Sequence, residues 1–151
     1  MPEKSPYRVP VNNAQEQLPV DRQRLREAVR AILAGEGVSR GEVSLAIVDD
    51  PTIHRLNRQF LQHDYATDVL SFLLEESSDP WRIEGEVIAS ADTAMRSAEE
   101  YGWAPADELL LYVVHGTLHL VGYDDHDPDD RTVMRERERH YLAPFGLQPR
   151  Y

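Results

Sequence analysis

The sequence predicts a single α+β domain in which a small mixed four-stranded sheet packs against about five helices. Its 151 residues are the length of one domain. Short apolar runs typical of strands are interspersed with longer segments that have helical periodicity and capping residues. The sequence contains no internal repeat, linker or low-complexity segment. We therefore expect one domain over residues 1–151, with frayed ends at residues 1–6 and 146–151.

Five helices are predicted from their end signals and apolar spacing. An aspartate or a proline stands at the start of each. The aspartate side chain can accept a hydrogen bond from a free backbone N–H of the first turn, and proline fits there because its missing N–H costs no hydrogen bond. The predicted segments are Asp21 to about Ala34, a second helix starting at Asp50-Pro51, about Asp92 to Tyr101, Pro105 to Leu120 or Val121, and a last helix capped by Asp127-Pro128. The fourth carries leucines and valines on almost every side, which is typical of a buried helix.

Four strands are predicted from short apolar or alternating runs. The first belongs at an edge of the sheet, because Pro10 cannot donate a hydrogen bond to a neighbouring strand. The last two are joined by a polar loop that contains Asp79-Pro80. The predicted segments are Tyr7–Val11, Val43–Val48, Thr67–Leu74 and Gly85–Ser90.

Composition excludes several classes of protein. The chain has no cysteine, so disulfides, thiolate metal sites and cysteine nucleophiles are excluded, as expected for a reducing cytoplasm. No apolar run approaches the ~18 residues that span a membrane, and the first twenty residues lack a secretory apolar segment. The net charge of −11 argues against an indiscriminate nucleic-acid binder. We therefore expect a cytoplasmic protein in which any metal is held by histidine, aspartate or glutamate.

Three of the six histidines, His115, His119 and His126, lie within one stretch of the chain. The first two are four residues apart, so they share one face of the predicted fourth helix. A buried histidine is costly to protonate, and the neutral ring binds metals. Gly122 lets the chain turn back before His126. Three ligands with an open fourth position are typical of catalytic zinc, so the stretch predicts one zinc ion per chain.

The residue after the first histidine limits the chemistry. Zinc peptidases with two histidines at this spacing carry a glutamate there as general base. Here the position is occupied by Gly116. Peptide hydrolysis is therefore disfavoured, whereas hydrolysis by zinc-activated water remains open.

The segment from His115 to Asp124 resembles the signature of the YbeY family of bacterial endoribonucleases. Thr67–Phe72 and Gly85–Ser90 are similar to two further family blocks, and the likeness extends over about Val43 to Val133. The resemblance implies a metal-dependent endoribonuclease domain with one zinc held by three histidines, here His115, His119 and His126. It also implies cleavage of single-stranded ribosomal RNA, in 3′-end maturation of the small-subunit RNA and in ribosome quality control. The implied partners are this RNA and the ribosome or its assembly factors, and neither DNA nor a membrane.

One departure from the family concerns the third zinc ligand. Six residues separate His119 from His126, whereas the family usually has five. Either the loop bulges and His126 still binds, or Asp125 supplies a carboxylate instead. We favour His126, because one extra loop residue costs little closure entropy and imidazole suits zinc.

A second departure concerns the catalytic arginine. The family usually places an arginine after the aromatic residue that corresponds to Phe60, and this chain has Leu61 there. Arg58, one helical turn from Leu61, is the candidate to stabilise charge on the phosphate, and the alternative is an ordinary surface arginine. His63 and Asp64, in the following loop, can face the metal site or form a turn.

The main hypothesis is therefore a zinc-dependent endoribonuclease, with His115, His119 and Arg58 as its catalytic residues. Two alternatives stay open. One is a zinc hydrolase of another substrate, such as a peptide, against which Gly116 argues. The other is a non-catalytic ribosome assembly factor that uses zinc to pin its last helix, which Leu61 and the acidic charge support.

Overall fold

The computed structural model describes residues 5–63 and 67–149, and within them an α+β fold confirms the predicted class. The helices are α1 (Arg22–Gly35), α2 (Asp50–Leu61), α3 (Ala91–Tyr101), α4 (Pro105–Leu120) and α5 (Pro128–Leu142), followed by a 3₁₀ turn at Ala143–Phe145. The strands are β1 (Tyr7–Arg8), β2 (Val11–Asn13), β3 (Arg40–Val48), β4 (Val69–Ser78) and β5 (Trp81–Ser90). Each predicted helix is present, and its ends lie within one or two residues of the expected positions.

The strands form one mixed sheet in the order β1-β3-β5-β4, and β2 also pairs with β3. All pairs are parallel except the β4–β5 hairpin. The sheet has five strands where four were predicted, because Pro10 interrupts the first one. Its two parts, β1 and β2, both run along the outer edge of β3.

The helices cover the two faces of the sheet unequally. Most of α4 is buried, and it packs with α1 against the inward-facing residues of β3 and β5 in the main core. On the other face, α2 covers a small second cluster of four buried residues, Val48, Ile53, Leu70 and Ile88. The near-complete burial of α4 confirms the prediction made from its apolar pattern. Histidines on α4 are thereby held by a largely buried helix.

The helix ends explain why the elements begin where they do. The side chains of Asp21, Asp49, Ser90 and Asp127 each accept a hydrogen bond from a backbone N–H in the first turn of α1, α2, α3 and α5. The second and fifth helices also have proline in their first turn, as does the uncapped α4.

The predicted frayed ends are covered only in part. Residues 1–4, 150 and 151 lie outside the described residues. Of the predicted ends that the structure does describe, Leu147 donates its backbone N–H to the carbonyl of Leu142 and packs against the core.

Among the described helices, none is both long and apolar enough to cross a membrane.

Candidate metal centre and cleft

His115 and His119 face each other near the C-terminal end of α4. Their Nε2 atoms are 3.1 Å apart, and the rings lie edge to face. Both side chains are mostly buried, with 19% and 28% of their surface exposed. The spacing of four residues on a helix thus brings the two imidazoles together as predicted.

The outer nitrogen of each ring is held by an acceptor. The Nδ1–H of His115 donates to Oε2 of Glu138 on α5 at 2.6 Å. The Nδ1–H of His119 donates to the backbone carbonyl of Tyr123 at 2.9 Å. Because each acceptor requires the proton on Nδ1, the Nε2 of each neutral ring carries a lone pair. The two lone pairs point towards the same small space.

The turn after α4 brings Asp125 to that space. Gly122 takes a positive φ of 105°, which suits glycine, and lets the chain reverse. Tyr123 is then fixed by its hydroxyl, which donates to Oε1 of Glu36 at 2.5 Å. The carboxylate oxygens of Asp125 lie 3.3 Å from Nε2 of His115 and 3.5 Å from Nε2 of His119.

The donor set of His115, His119 and Asp125 fits a zinc ion. Two neutral imidazole nitrogens and one carboxylate are ordinary zinc ligands. Ligand atoms on one tetrahedral zinc lie about 3.3 Å apart, given zinc–nitrogen bonds of about 2.0–2.1 Å. The two Nε2 atoms are 3.1 Å apart, and the nearest oxygens of Asp125, Oδ2 to His115 and Oδ1 to His119, lie at 3.3 and 3.5 Å, so all three separations are close to that value. Three groups with lone pairs or negative charge at such distances need a shared cation or proton between them.

His126 lies elsewhere in the loop. Its side chain is 84% exposed, and its Nε2 is 3.2 Å from Oδ1 of Asp124. It belongs to a second group of possible ligands with Asp124 and Asp125, whereas the first group is His115, His119 and Asp125. The structure therefore brings together the predicted pair and the alternative third residue, and it does not bring His126 to the pair.

The two histidines differ in their affinity for a proton. Burial lowers the pKa of His115, but the hydrogen bond and the negative charge of Glu138 outweigh it, so that the pKa is raised. Burial, followed by the positive charge of a protonated His115, lowers the pKa of His119. Without a metal, a proton in this space is therefore held mainly by His115.

A cleft of about 490 Å³ adjoins the histidine pair. It runs between α3 and α5, above α4, and His115, Asp125 and Glu138 line one part of it. Further lining residues carry cations, hydroxyls and an exposed aromatic ring; they include Thr93, Arg96, Ser97, Tyr101 and Arg135. The side chains of Arg96 and Arg135 are 62% and 41% exposed, and each is paired with a carboxylate, of Asp50 and Glu138 respectively. Asp68 and Glu108 also line the cleft, so it presents both cations and carboxylates beside the histidines.

The predicted catalytic arginine is not among the residues that line this cleft. Arg58 is exposed in the last turn of α2, where a cation is favourable for the helix dipole. Leu61 ends the same helix and is 43% exposed. His63 is also exposed, and Asp64 lies outside the described residues.

Gly116 has a packing role that the sequence did not reveal. A Cβ atom at this position would lie 2.6 Å from Cγ1 of Val87 and 2.9 Å from Oγ of Ser71. The Ser71 hydroxyl donates to the Gly116 carbonyl at 2.9 Å, so β4 and α4 are in direct contact. A glutamate general base has no room here, which supports the interpretation that peptidase chemistry is disfavoured.

Sequence reasoning missed Glu138. Its side chain is fully buried, although α5 is otherwise rich in exposed charges. The available signal was its spacing: Met134, Glu138, Tyr141 and Leu142 lie at helical intervals on one buried face of α5. A carboxylate among apolar residues on the buried face of a helix indicates a specific partner in the core.

The fold and the site together define an α+β domain with a candidate mononuclear metal centre beside a cleft. A family model described as Endoribonuclease YbeY matches residues 10–146. A protein named Endoribonuclease YbeY from Salinibacter ruber is 40% identical over 148 residues, covering 94% of each chain. One of the same name from Rhodopirellula baltica is 49% identical over 129 residues, which cover 84% of this chain and 66% of that relative's length.

A solved structure agrees with these sequence matches. The solution structure of TM1509 from Thermotoga maritima superposes with a TM-score of 0.62 at 26% sequence identity, covering 93% of this chain and 91% of that one. The chain belongs to the YbeY endoribonuclease family. The family resemblance seen in its histidine motif is thereby confirmed.

Proposed function

We propose that this protein is a cytoplasmic zinc-dependent endoribonuclease that cleaves single-stranded ribosomal RNA. Its roles would be 3′-end maturation of the small-subunit RNA and ribosome quality control, in contact with the ribosome or its assembly factors. The observation that carries the catalytic part is the pair of Nε2 lone pairs on His115 and His119, which converge with Asp125 beside the cleft. Family membership supports RNA as the substrate.

The zinc ligands in this proposal are His115, His119 and Asp125. A zinc ion bound there would supply a Lewis acid for the phosphate and would lower the pKa of a water molecule to about 7. The protein's own contribution is to hold the two neutral imidazoles by their Nδ1–H groups and to keep the site beside the cleft. Arg96 and Arg135 on the walls of the cleft can contact phosphates, and Tyr101 offers a ring for base stacking.

The choice between Asp125 and His126 as third ligand is directly testable. We expect Asp125→Ala to bind zinc at least about tenfold more weakly than the wild type, since loss of one of three ligands costs more than loss of a supporting hydrogen bond. His126→Ala should keep wild-type zinc content, because its ring is exposed and away from the pair. Metal analysis after dialysis against a weak chelator measures both. Zinc lost from the His126 variant and kept by the Asp125 variant would restore the ligand set predicted from sequence.

Arg58 remains the proposed catalytic arginine from the sequence. If it contacts the phosphate, Arg58→Ala should slow cleavage of a single-stranded RNA by about 100-fold, as loss of one charge-stabilising donor does in other enzymes. Zinc content should be unchanged. Arg55→Ala, on the same helix and also exposed, is the matched control and should cleave normally. If Arg58→Ala cleaves as fast as Arg55→Ala and the wild type, Arg58 takes no part in the mechanism, and Arg96 and Arg135 become the candidate cations.

A further inference from the structure

Glu138 is a buried carboxylate with two defined hydrogen bonds. Its Oε2 accepts from the Nδ1–H of His115 at 2.6 Å, and its Oε1 accepts from Nη1 of Arg135 at 3.0 Å. No part of its side chain is exposed to solvent. We propose that Glu138 is a positioning residue that orients His115 for metal binding. This proposal rests on the proposed function, since it concerns the same metal site.

The geometry specifies what Glu138 does to the ring of His115. A carboxylate can only accept at Nδ1, so the proton stays there and the lone pair stays on Nε2, towards His119 and Asp125. If the acceptor is lost, the ring can rotate or carry its proton on Nε2. In that state it offers no lone pair to a cation. Carboxylates that hold the outer nitrogen of a metal-bound histidine typically contribute 10- to 100-fold to metal affinity.

The position of Glu138 in α5 argues against a role in folding alone. The neighbouring buried residues on this face are Met134, Tyr141 and Leu142, so an apolar side chain at position 138 would complete an apolar surface. Replacing a whole buried ionic network by apolar residues of similar volume is often neutral or stabilising, whereas removing one partner destabilises because the other is left buried and unpaired. In Glu138→Leu the Arg135 side chain, 41% exposed, can turn to solvent, but the Nδ1–H of His115, whose side chain is 19% exposed, loses its acceptor. Metal-free stability must therefore be measured beside zinc affinity.

The second oxygen of Glu138 links the metal site to the cleft. Arg135 lines the cleft and donates to the same carboxylate that holds His115. One buried group on α5 therefore fixes both an imidazole of the metal site and a cation on the cleft wall. In this arrangement α5 contacts the metal site through Glu138, although no proposed metal ligand lies on α5.

The test compares Glu138→Leu and Glu138→Gln with wild type in the full chain, and uses Glu136→Gln as a control on the exposed side of α5. The probe is zinc alone, measured by competition with a chromophoric chelator, together with the visible absorption spectrum of the cobalt-substituted protein. Thermal unfolding of the metal-free proteins measures stability separately. We expect zinc affinity to fall by about 10- to 100-fold in the leucine variant and by less in the glutamine variant. The cobalt spectrum should change, and metal-free stability should not fall in proportion.

Two results would overturn the proposal. One is a leucine variant that folds and binds zinc within about twofold of wild type. The other is a loss of zinc affinity that is matched by an equal loss of metal-free stability, which would indicate a structural role alone. If the leucine variant does not fold, the glutamine variant decides: a threefold or greater loss of zinc affinity at unchanged metal-free stability supports the proposal, and a smaller loss overturns it. Failure of the proposed function would be distinct, since wild-type protein would then bind zinc and cleave no RNA.

Discussion

His119→Ala should abolish zinc binding and reduce cleavage of single-stranded ribosomal RNA by at least about 1,000-fold, the upper end of what one charge-stabilising group contributes in other enzymes. The physical reason is that the variant leaves His115 and Asp125 as a two-ligand site. Alanine also removes the hydrogen bond to the carbonyl of Tyr123, which holds the loop that carries Asp125. Metal analysis and a gel assay on a single-stranded segment of small-subunit RNA, with zinc supplied, measure the two effects.

His140→Ala is the matched control, because His140 is an exposed histidine on α5 that takes no part in the site. It should retain both zinc and activity. The metal-free forms of wild type and His119→Ala should unfold at similar temperatures, so that lost activity is not lost fold. If wild-type protein with bound zinc cleaves no RNA, yet loses much of its stability on chelation and still binds ribosomes, the non-catalytic assembly factor is the better account.

The elements of the fold were predictable because their signals are local. Caps and proline positions fixed the starts of the helices, and a continuous apolar surface identified α4 as the buried one. The hairpin was underestimated: β4 continues through Glu75–Ser78, a segment without apolar residues, and β5 begins at Trp81, where the short alternation of Trp81 and Ile83 with polar residues was not recognised as strand. There a cross-strand bond from Nε1 of Trp81 to Glu76 holds the pair together. The polar end of β4 is thus held in the sheet by its partner strand, and its own composition gives little sign of it.

The site was predictable only where its residues share one helix. His115 and His119 follow from helical periodicity. The choice between Asp125 and His126 depends on the path of the loop after Gly122. Tyr123 in this loop contacts His119 on the preceding helix and Glu36, which is 87 residues away in sequence. Glu138 reaches His115 across the packing of α5 on α4, a contact 23 residues apart in sequence. Contacts between elements require the tertiary fold, and a single sequence does not contain them explicitly.

Gly116 is a position where we expect a single added methyl group to cost stability. Gly116→Ala should lower the free energy of unfolding by up to about 2 kcal/mol, because overpacking a core typically costs about 1–3 kcal/mol and the helix-propensity gain of about 1 kcal/mol offsets only part of it. The added Cβ would meet Val87, a β-branched and stiff side chain that is 1% exposed in β5. Pushing α4 away from the sheet also displaces the adjacent His115, so RNA cleavage should fall as well. Denaturant unfolding of the metal-free protein measures the stability.

Ala31→Gly, at an exposed position inside α1, is the control that isolates helix propensity. It should lose about 1 kcal/mol, as alanine-to-glycine changes do in open helix positions. If helix propensity alone decided stability, Gly116→Ala would raise the free energy of unfolding by the same amount of about 1 kcal/mol. An increase in stability for Gly116→Ala would therefore contradict the close contact of α4 with β4 and β5. Gly116→Glu tests the same space more severely: the side chain that zinc peptidases use as their base should here prevent folding, because a carboxylate would have to enter the contact with Val87 and Ser71.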